Sequence, residues 1–119
     1  MHTELEVYKS SMKLVKCVYE MTAGFPRDEI WGLVSQMKRA VISVPSNIAE
    51  GCSRKTSKEM LYFLNIAKAS LSELTTQIEI AQMLNFIQNQ EQCQITIDLA
   101  QAVKRQLLGM IKSNEGRAL

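Results

Sequence analysis

The feature that most constrains this chain is the spacing of its apolar residues between positions 60 and 81. They recur at alternating steps of four and three residues over three heptads. Residues at this spacing face a neighbouring helix along the seam of a bundle. The positions are Met60, Leu64, Ala67, Leu71, Leu74, Ile78 and Ala81. The pattern therefore predicts a long helix that is buried along one side.

Three further segments carry the same helical periodicity. Their apolar positions are Leu5, Tyr8, Met12, Val15 and Tyr19 in the first, Ile30, Val34, Met37, Val41, Val44 and Ile48 in the second, and Ile95, Leu99, Ala102, Val103, Leu107 and Met110 in the last. We place helices at roughly 4–23, 27–50, 57–86 and 90–113. Short polar loops favour antiparallel neighbours. The sequence thus predicts an all-α fold, a single up-down-up-down antiparallel four-helix bundle over residues 1–119.

Local signals mark the ends of these helices. Thr56 and Glu59 have the spacing of a capping box, and Asn89 is a candidate N-cap for the last helix. Pro45 lies inside the second segment and lacks the backbone N–H of a helical residue, so we expect helix two to be kinked near Pro45 and to end at Gly51. We expect the last helix to fray near Ser113, because the periodicity stops there.

The composition excludes several kinds of chemistry. His2 is the one histidine, and the three cysteines form no close pair, so we expect no metal site, no cofactor and no catalytic residues. Glu73 and Glu79 are interpreted as part of a solvated face with Lys68 and Gln82. Neither a signal-peptide core nor a membrane-length apolar run is present, so we expect a cytoplasmic protein with reduced thiols and no membrane contact.

Helices two and three carry more apolar residues than one seam requires. Trp31, Val41, Ile42 and Ile48 cannot all face one seam, nor can Phe63, Ile66, Ala69 and Ile80. Either the core is wide, or a second apolar face is buried by another copy of the chain. Both interpretations stay open at this point.

Polar residues concentrate where helices two and three are joined. Arg39 and Glu50 are eleven residues apart, about three helical turns, and so could form an ion pair within one chain or across a subunit boundary. We assign a structural or oligomer-forming corner to Arg39, Ser43, Pro45, Asn47, Glu50 and Gly51.

Charge is distributed unevenly along the chain, although the net charge is only +2. Residues 27–58 hold six basic and three acidic side chains, whereas residues 59–86 hold one basic and three acidic ones. Candidate phosphate-binding residues are Lys38, Arg54, Lys55 and Lys58. Ordinary solvation of a basic loop is the alternative interpretation.

The stretch from Phe25 to Ala81 resembles the 23S rRNA-intervening-sequence proteins, a bacterial family of four-helix bundles. Its most specific block is SQMKRAVISVPSNIAEG, which ends at Gly51. Arg54, Phe63, Ser70, Leu71 and Glu73 extend the match, and the opening ELEVYKSSMKLV is also typical of the family. Ala69 departs from the pattern, because the family often has Gly there.

This resemblance implies a ring-like homopentamer whose molecular function is unknown in most members. Some members are encoded within inserts of ribosomal RNA genes. A related branch, the accessory variability determinants of diversity-generating retroelements, binds nucleic acid and a reverse transcriptase. We therefore hypothesise a non-enzymatic oligomeric scaffold or accessory protein that associates with RNA or DNA. The alternative is a protein–protein interaction module that binds no nucleic acid.

Overall fold

Four long helices make up most of the structure, a computed structural model that describes residues 2–118. They are α1 (Glu6–Thr22), α2 (Leu33–Cys52), α3 (Ser57–Met83) and α4 (Gln90–Ala118). Short 3-10 turns at His2–Glu4 and Arg27–Glu29 precede α1 and α2.

The helices pack in the order in which they follow one another. Within residues 2–118, α1 contacts α2 and α4, α3 contacts the same two helices, and neither diagonal pair is in contact. The bundle measures 47 × 25 × 22 Å. This is the expected up-down-up-down antiparallel arrangement, so the predicted fold class is confirmed.

The predicted seams of α2 and α3 form the centre of the core. From Leu64 to Ala81, every seam position of α3 is buried, as is every seam position of α2 from Val34 to Ile48. Ile30 precedes α2 and is exposed. Of the surplus apolar residues, Val41 and Ile48 are core, whereas Trp31 and Ile42 are exposed. Val41 and Ile48 are positions of the predicted seam, so the residues of this group that lie off the seam remain on the surface.

The predicted stripes of α1 and α4 are partly wrong. On α1, the buried positions fall one residue earlier than expected, at Val7, Ser11, Leu14 and Val18, which leaves Met12 and Tyr19 exposed. On α4, Val103 and Leu107 are buried as predicted, but Ile95 is exposed. The buried residues of α4 are Cys93, Thr96, Ala100, Val103, Leu107, Ile111 and Asn114.

Polar side chains hidden in the core explain these errors. The Ser11 hydroxyl donates to the carbonyl of Tyr8 at 2.8 Å, and the Thr96 hydroxyl donates to the carbonyl of Gln92 at 2.8 Å. A buried polar group costs little once it has a hydrogen-bond partner. Because these partners belong to the same helix, an apolar pattern does not reveal such residues as core.

The start of α2 differs most from the predicted boundaries. Residues 27–29 form a separate 3-10 turn, and α2 begins only at Leu33. The Glu29 carboxylate accepts a hydrogen bond from the Leu33 backbone N–H at 3.2 Å. This side chain satisfies a backbone donor that helix geometry leaves unpaired at an N-terminus.

The ends of α3 and α4 also depart from the prediction. Helix α3 ends at Met83, and Asn85 adopts a left-handed conformation with φ 60°. The Phe86 N–H then bonds the Ala81 carbonyl and the Asn85 N–H bonds that of Gln82, which is a Schellman motif. Helix α4 continues to Ala118 instead of fraying near Ser113, because Ile111 and Asn114 remain buried.

The two predicted N-caps are confirmed, but within residues 2–118 the Glu59 carboxylate makes no return hydrogen bond to the Thr56 N–H, so the capping box is only half formed. The Thr56 side chain accepts a hydrogen bond from the Glu59 N–H at 3.1 Å, and the Asn89 side chain accepts one from the Gln92 N–H at 3.0 Å. Pro45 is buried within α2, which is assigned as helix on both sides of it. The kink near Pro45 stays a prediction.

Helices α2 and α3 approach each other closely at Gly51, between the C-terminus of α2 and the N-terminus of α3. A Cβ atom at this position would lie 3.2 Å from the Met60 carbonyl oxygen and 3.3 Å from the Phe63 Cβ. Because the Met60 carbonyl yields little, a side chain at this position would have to push the two helices apart by a few tenths of an ångström.

We expect Gly51→Ala to lower the free energy of unfolding by about 1–2 kcal/mol, since overpacking outweighs the gain in helix propensity. Gly109→Ala is the matched control. It lies within α4, where an added Cβ meets nothing within 4 Å. This variant should gain about 0.5–1 kcal/mol. Urea unfolding followed by circular dichroism measures both, and equal shifts would contradict the prediction.

Candidate functional site

The predicted partner of Glu50 is wrong for the single chain. The Glu50 carboxylate pairs with the Arg54 guanidinium, not with Arg39. Arg54 also lies over the Phe63 ring, 4.6 Å from its centroid. Arg54 and Glu50 keep 38% and 48% of their side-chain surface exposed. This ion pair therefore sits at the surface of the corner, where it holds Arg54 against α3.

Helical spacing explains why Arg54 takes this place. Arg54 follows Glu50 by four residues, the separation at which an acidic and a basic side chain meet on one face. Arg39 lies eleven residues before Glu50, which corresponds to about 16 Å along a helix. Within one chain, Glu50 therefore pairs with Arg54 and not with Arg39, and Arg39 is available to another partner.

Of the predicted corner residues, Ser43 connects α2 to α3, and Asn47 supports it from within α2. The Asn47 amide donates to the Ser43 carbonyl at 2.8 Å and to the Ser43 hydroxyl oxygen at 2.9 Å. The Ser70 hydroxyl of α3 donates to the same Ser43 oxygen at 2.8 Å. This hydrogen bond crosses the helix pair and fixes its register.

A polar pocket of about 450 Å³ lies between α2 and α3 next to this hydrogen bond. Its lining residues are Gln36, Arg39, Ala40, Ser43, Ser70 and Glu73. Within residues 2–118, neither Arg39 nor Glu73 has an oppositely charged group within 4 Å. The pocket thus holds a positive and a negative side chain that do not pair with each other.

Glu73 does not share a face with Glu79, contrary to the sequence interpretation. Glu79 lines a groove of about 460 Å³ between α3 and α4, together with Lys68 and Gln82. Glu73 points to the opposite side, where its carboxylate accepts a hydrogen bond from the Gln77 amide at 3.2 Å. Sequence reasoning therefore missed Glu73 and Gln77 as site residues, although both continue the steps of three and four residues from Ser70.

Three of the four candidate phosphate-binding residues cluster. Arg54 and Lys55 lie in the turn between α2 and α3, and Lys58 lies in the first turn of α3. We call these three residues the basic turn. In the described part of the chain, no carboxylate lies within 4 Å of Lys55 or Lys58. Lys55 and Lys58 are thus available to bind an anion.

Lys38 does not belong to the basic turn. Its ammonium lies 4.6 Å from the centroid of the Tyr19 ring, between α2 and α1. Fourteen residues separate it from the end of α2, or about 21 Å of helix. The structure therefore separates Lys38 from the other candidates.

Arg117 is a cation that the sequence analysis missed. It lines a cavity of about 650 Å³ at the end of the bundle, together with Cys52 and Met60 from the α2–α3 corner. Because α4 extends to Ala118, it carries Arg117 to the same end as the basic turn. Ile111 and Asn114 continue the spacing of the α4 core, a signal that could have predicted this extension.

The thiols are poorly suited to nucleophilic chemistry. Burial raises the pKa of the Cys17, Cys52 and Cys93 thiols, so less of each is thiolate at neutral pH. Between residues 2 and 118, no group of three His, Cys, Asp or Glu side chains could hold a metal ion. Over the same residues, no helix combines the length and apolar character needed to cross a membrane.

A protein-family model decides which proteins this bundle is related to. The model described as 23S rRNA-intervening sequence protein matches residues 3–109, which include α1, α2, α3 and most of α4. The chain belongs to this family. No curated protein matches the chain. The corner, the polar pocket and the basic turn of this 23S rRNA-intervening sequence protein all lie within the matched region.

Arg54→Ala should destabilise this family member by about 0.5–1 kcal/mol, because it removes an exposed ion pair and a cation–π contact. Arg54→Lys should recover only part of the loss, since an ammonium lacks the flat surface that stacks on Phe63. Urea unfolding at low and high salt measures both variants. Lys55→Ala is the control and should stay within about 0.5 kcal/mol of the wild type. If Lys55→Ala lowers the free energy of unfolding as much as Arg54→Ala does, the stabilising role of the Arg54 contacts with Glu50 and Phe63 is contradicted.

Proposed function

We propose that this protein is a non-enzymatic helical bundle that assembles with copies of itself and serves as a cytoplasmic scaffold or accessory protein on nucleic acid. The observation that carries the proposal is one continuous surface, the α2–α3 face. It comprises the polar pocket, the α3 residues Phe63, Ile66 and Ile80, and Leu84 directly after α3, and it ends at the basic turn. The raised pKa of the thiols supports a role without catalysis.

Apolar residues on this face support self-assembly. Phe63 and Ile66 are half-buried, and Leu84 retains 47% of its surface. They belong to one stripe of three- and four-residue steps, the spacing of a helix seam, which also contains Ser70, Glu73, Gln77 and Ile80. Such apolar positions beside a polar centre are typical of protein–protein interfaces. The assembly that the family resemblance implies is a homopentamer.

The basic turn supports contact with a polyanion. Lys55 and Lys58 are exposed at one end of the bundle, and Arg117 lies at the same end. Assembly about a symmetry axis would repeat these cations, so that several lysines could contact one nucleic acid. The family description names an intervening sequence of 23S rRNA, which makes structured RNA the first substrate to test.

For self-assembly, we expect light scattering at micromolar concentration to give five times the chain mass. Leu84→Lys should weaken the assembly, because a charge would then be buried in the apolar seam. Ala69→Lys on the exposed outer side of α3 is the control and should assemble as the wild type does. A wild-type monomer would contradict the proposal.

For nucleic-acid contact, we expect Lys55→Ala combined with Lys58→Ala to weaken binding to a structured RNA. The slope of log affinity against log salt should fall by roughly 2, because two phosphate contacts are lost. Lys68→Ala combined with Lys104→Ala, in the α3–α4 groove, is the matched control. Fluorescence anisotropy across a salt series measures both. Equal losses in the two double variants would rule out the basic turn as the contact site.

A protein–protein interaction module without nucleic-acid binding is the second candidate function. It is favoured by Trp31, which is 92% exposed beside the exposed Ile30. The packing of Phe25 on Phe86, with ring centroids 5.8 Å apart, brings the α1–α2 and α3–α4 connections together at the end of the bundle opposite the basic turn. A reverse transcriptase or another protein could dock on this end. If fluorescence anisotropy shows no salt-dependent binding to RNA, this second function is favoured.

A further inference from the structure

We infer that Arg39 of one subunit pairs with Glu73 of the neighbouring subunit, so that the polar pocket is completed only in the assembly. The inference rests on the proposed self-assembly and names the residues that direct it. Each chain presents both halves of this pair, one on α2 and the other on α3.

The first argument is that both charges lack a partner. Arg39 and Glu73 line the same pocket, yet within residues 2–118 they form no ion pair with each other or with any other residue. The carboxylate nearest to Arg39 in the sequence motif, Glu50, is already bound to Arg54. An arginine on α2 and a glutamate on α3 are complementary charges for a second copy of the same chain.

The second argument is that Glu73 is held in place. The Gln77 amide donates to the Glu73 carboxylate, and Gln77 is itself only 4% exposed. The Gln77 Oε1 atom is buried and has no hydrogen-bond partner within the described residues. Because the Gln77 amide already holds the Glu73 side chain, Glu73 loses little conformational entropy when it binds an incoming group. A guanidinium would bring five N–H donors to this position.

The third argument is that the surroundings are those of an interface. Phe63 and Ile66 precede Glu73 on the same stripe of α3, and Ile80 and the C-cap residue Leu84 follow it. A polar pair within such an apolar seam specifies the register of two helices. Arginine is the residue best suited to this role, because its flat fork binds a carboxylate through two hydrogen bonds.

The geometry is compatible with a closed ring. If α2 of each subunit lies beside α3 of the next, the Arg39 of every subunit binds one neighbour, and its Glu73 binds the Arg39 of the other neighbour. The same contact then repeats around the symmetry axis, and no charge of the pair is left over.

Charge reversal tests the pairing. Arg39→Glu and Glu73→Arg each place like charges at the contact, so each variant should dissociate at a concentration at least about tenfold higher than the wild type. Arg39→Glu combined with Glu73→Arg in one chain should return to within about threefold of the wild type, because opposite charges then face each other at every contact. An equimolar mixture of the two single variants should recover assembly only in part, because a ring of five cannot alternate them without leaving one contact between like charges. Both residues are exposed in the chain, so circular dichroism should report unchanged helix content.

The controls separate this inference from self-assembly as such. Lys68→Glu and Glu79→Lys reverse charges in the α3–α4 groove and should leave assembly unchanged. A monomeric wild type would overturn the proposed function itself. If the wild type assembles but the two single variants match it, only the pairing is overturned. The pairing is also overturned if the double variant assembles while the equimolar mixture dissociates as readily as either single variant, because the pair then forms within a subunit.

Discussion

The close approach of α2 to α3 is the contact on which the rest of the structure depends. Gly51 removes the side chain that would separate the two helices, and the hydrogen bond from Ser70 to Ser43 fixes how they align. Because α2 and α3 carry the most regular apolar seams, their contact sets the direction of the core. Helices α1 and α4 then complete the bundle by packing against each other and against this pair.

The same contact decides which charges remain for function. It brings Phe63 beneath Arg54, and Arg54 in turn neutralises Glu50. Among residues 2–118, Arg39 and Glu73 have no ion-pair partner on the surface of the helix pair, while Lys55 and Lys58 lie where the two helices are joined. One helix pair thus presents a face suited to a second subunit and an end suited to a polyanion. These two surfaces are adjacent, so assembly would multiply the basic one.

The extent to which this bundle could be predicted varies from helix to helix. The seam of α3 from Leu64 onward and most of that of α2 were predicted residue by residue, because these seam positions are uniformly apolar, although Gln77 is buried beside them. In α1 and α4, the core includes Ser11, Thr96 and Asn114. Each of these side chains donates to a carbonyl three or four residues earlier in its own helix. These hydrogen bonds offset the cost of burying the polar groups. A pattern based on hydrophobicity omits such residues, and therefore places the buried face of the helix at the wrong positions.

The sequence by itself determined the four helices, their antiparallel order, two of their caps and the clustering of basic residues around position 55. These features depend on residues that are close together in the sequence, so the spacing of residue types along the chain is enough to predict them. Only the tertiary structure decided that Arg54 binds Glu50, that Lys38 lies far from the basic turn, and that Glu73 shares a pocket with Arg39. Such pairings depend on the rotation of each helix about its axis and on contacts between helices distant in sequence. Packing of the whole core sets both.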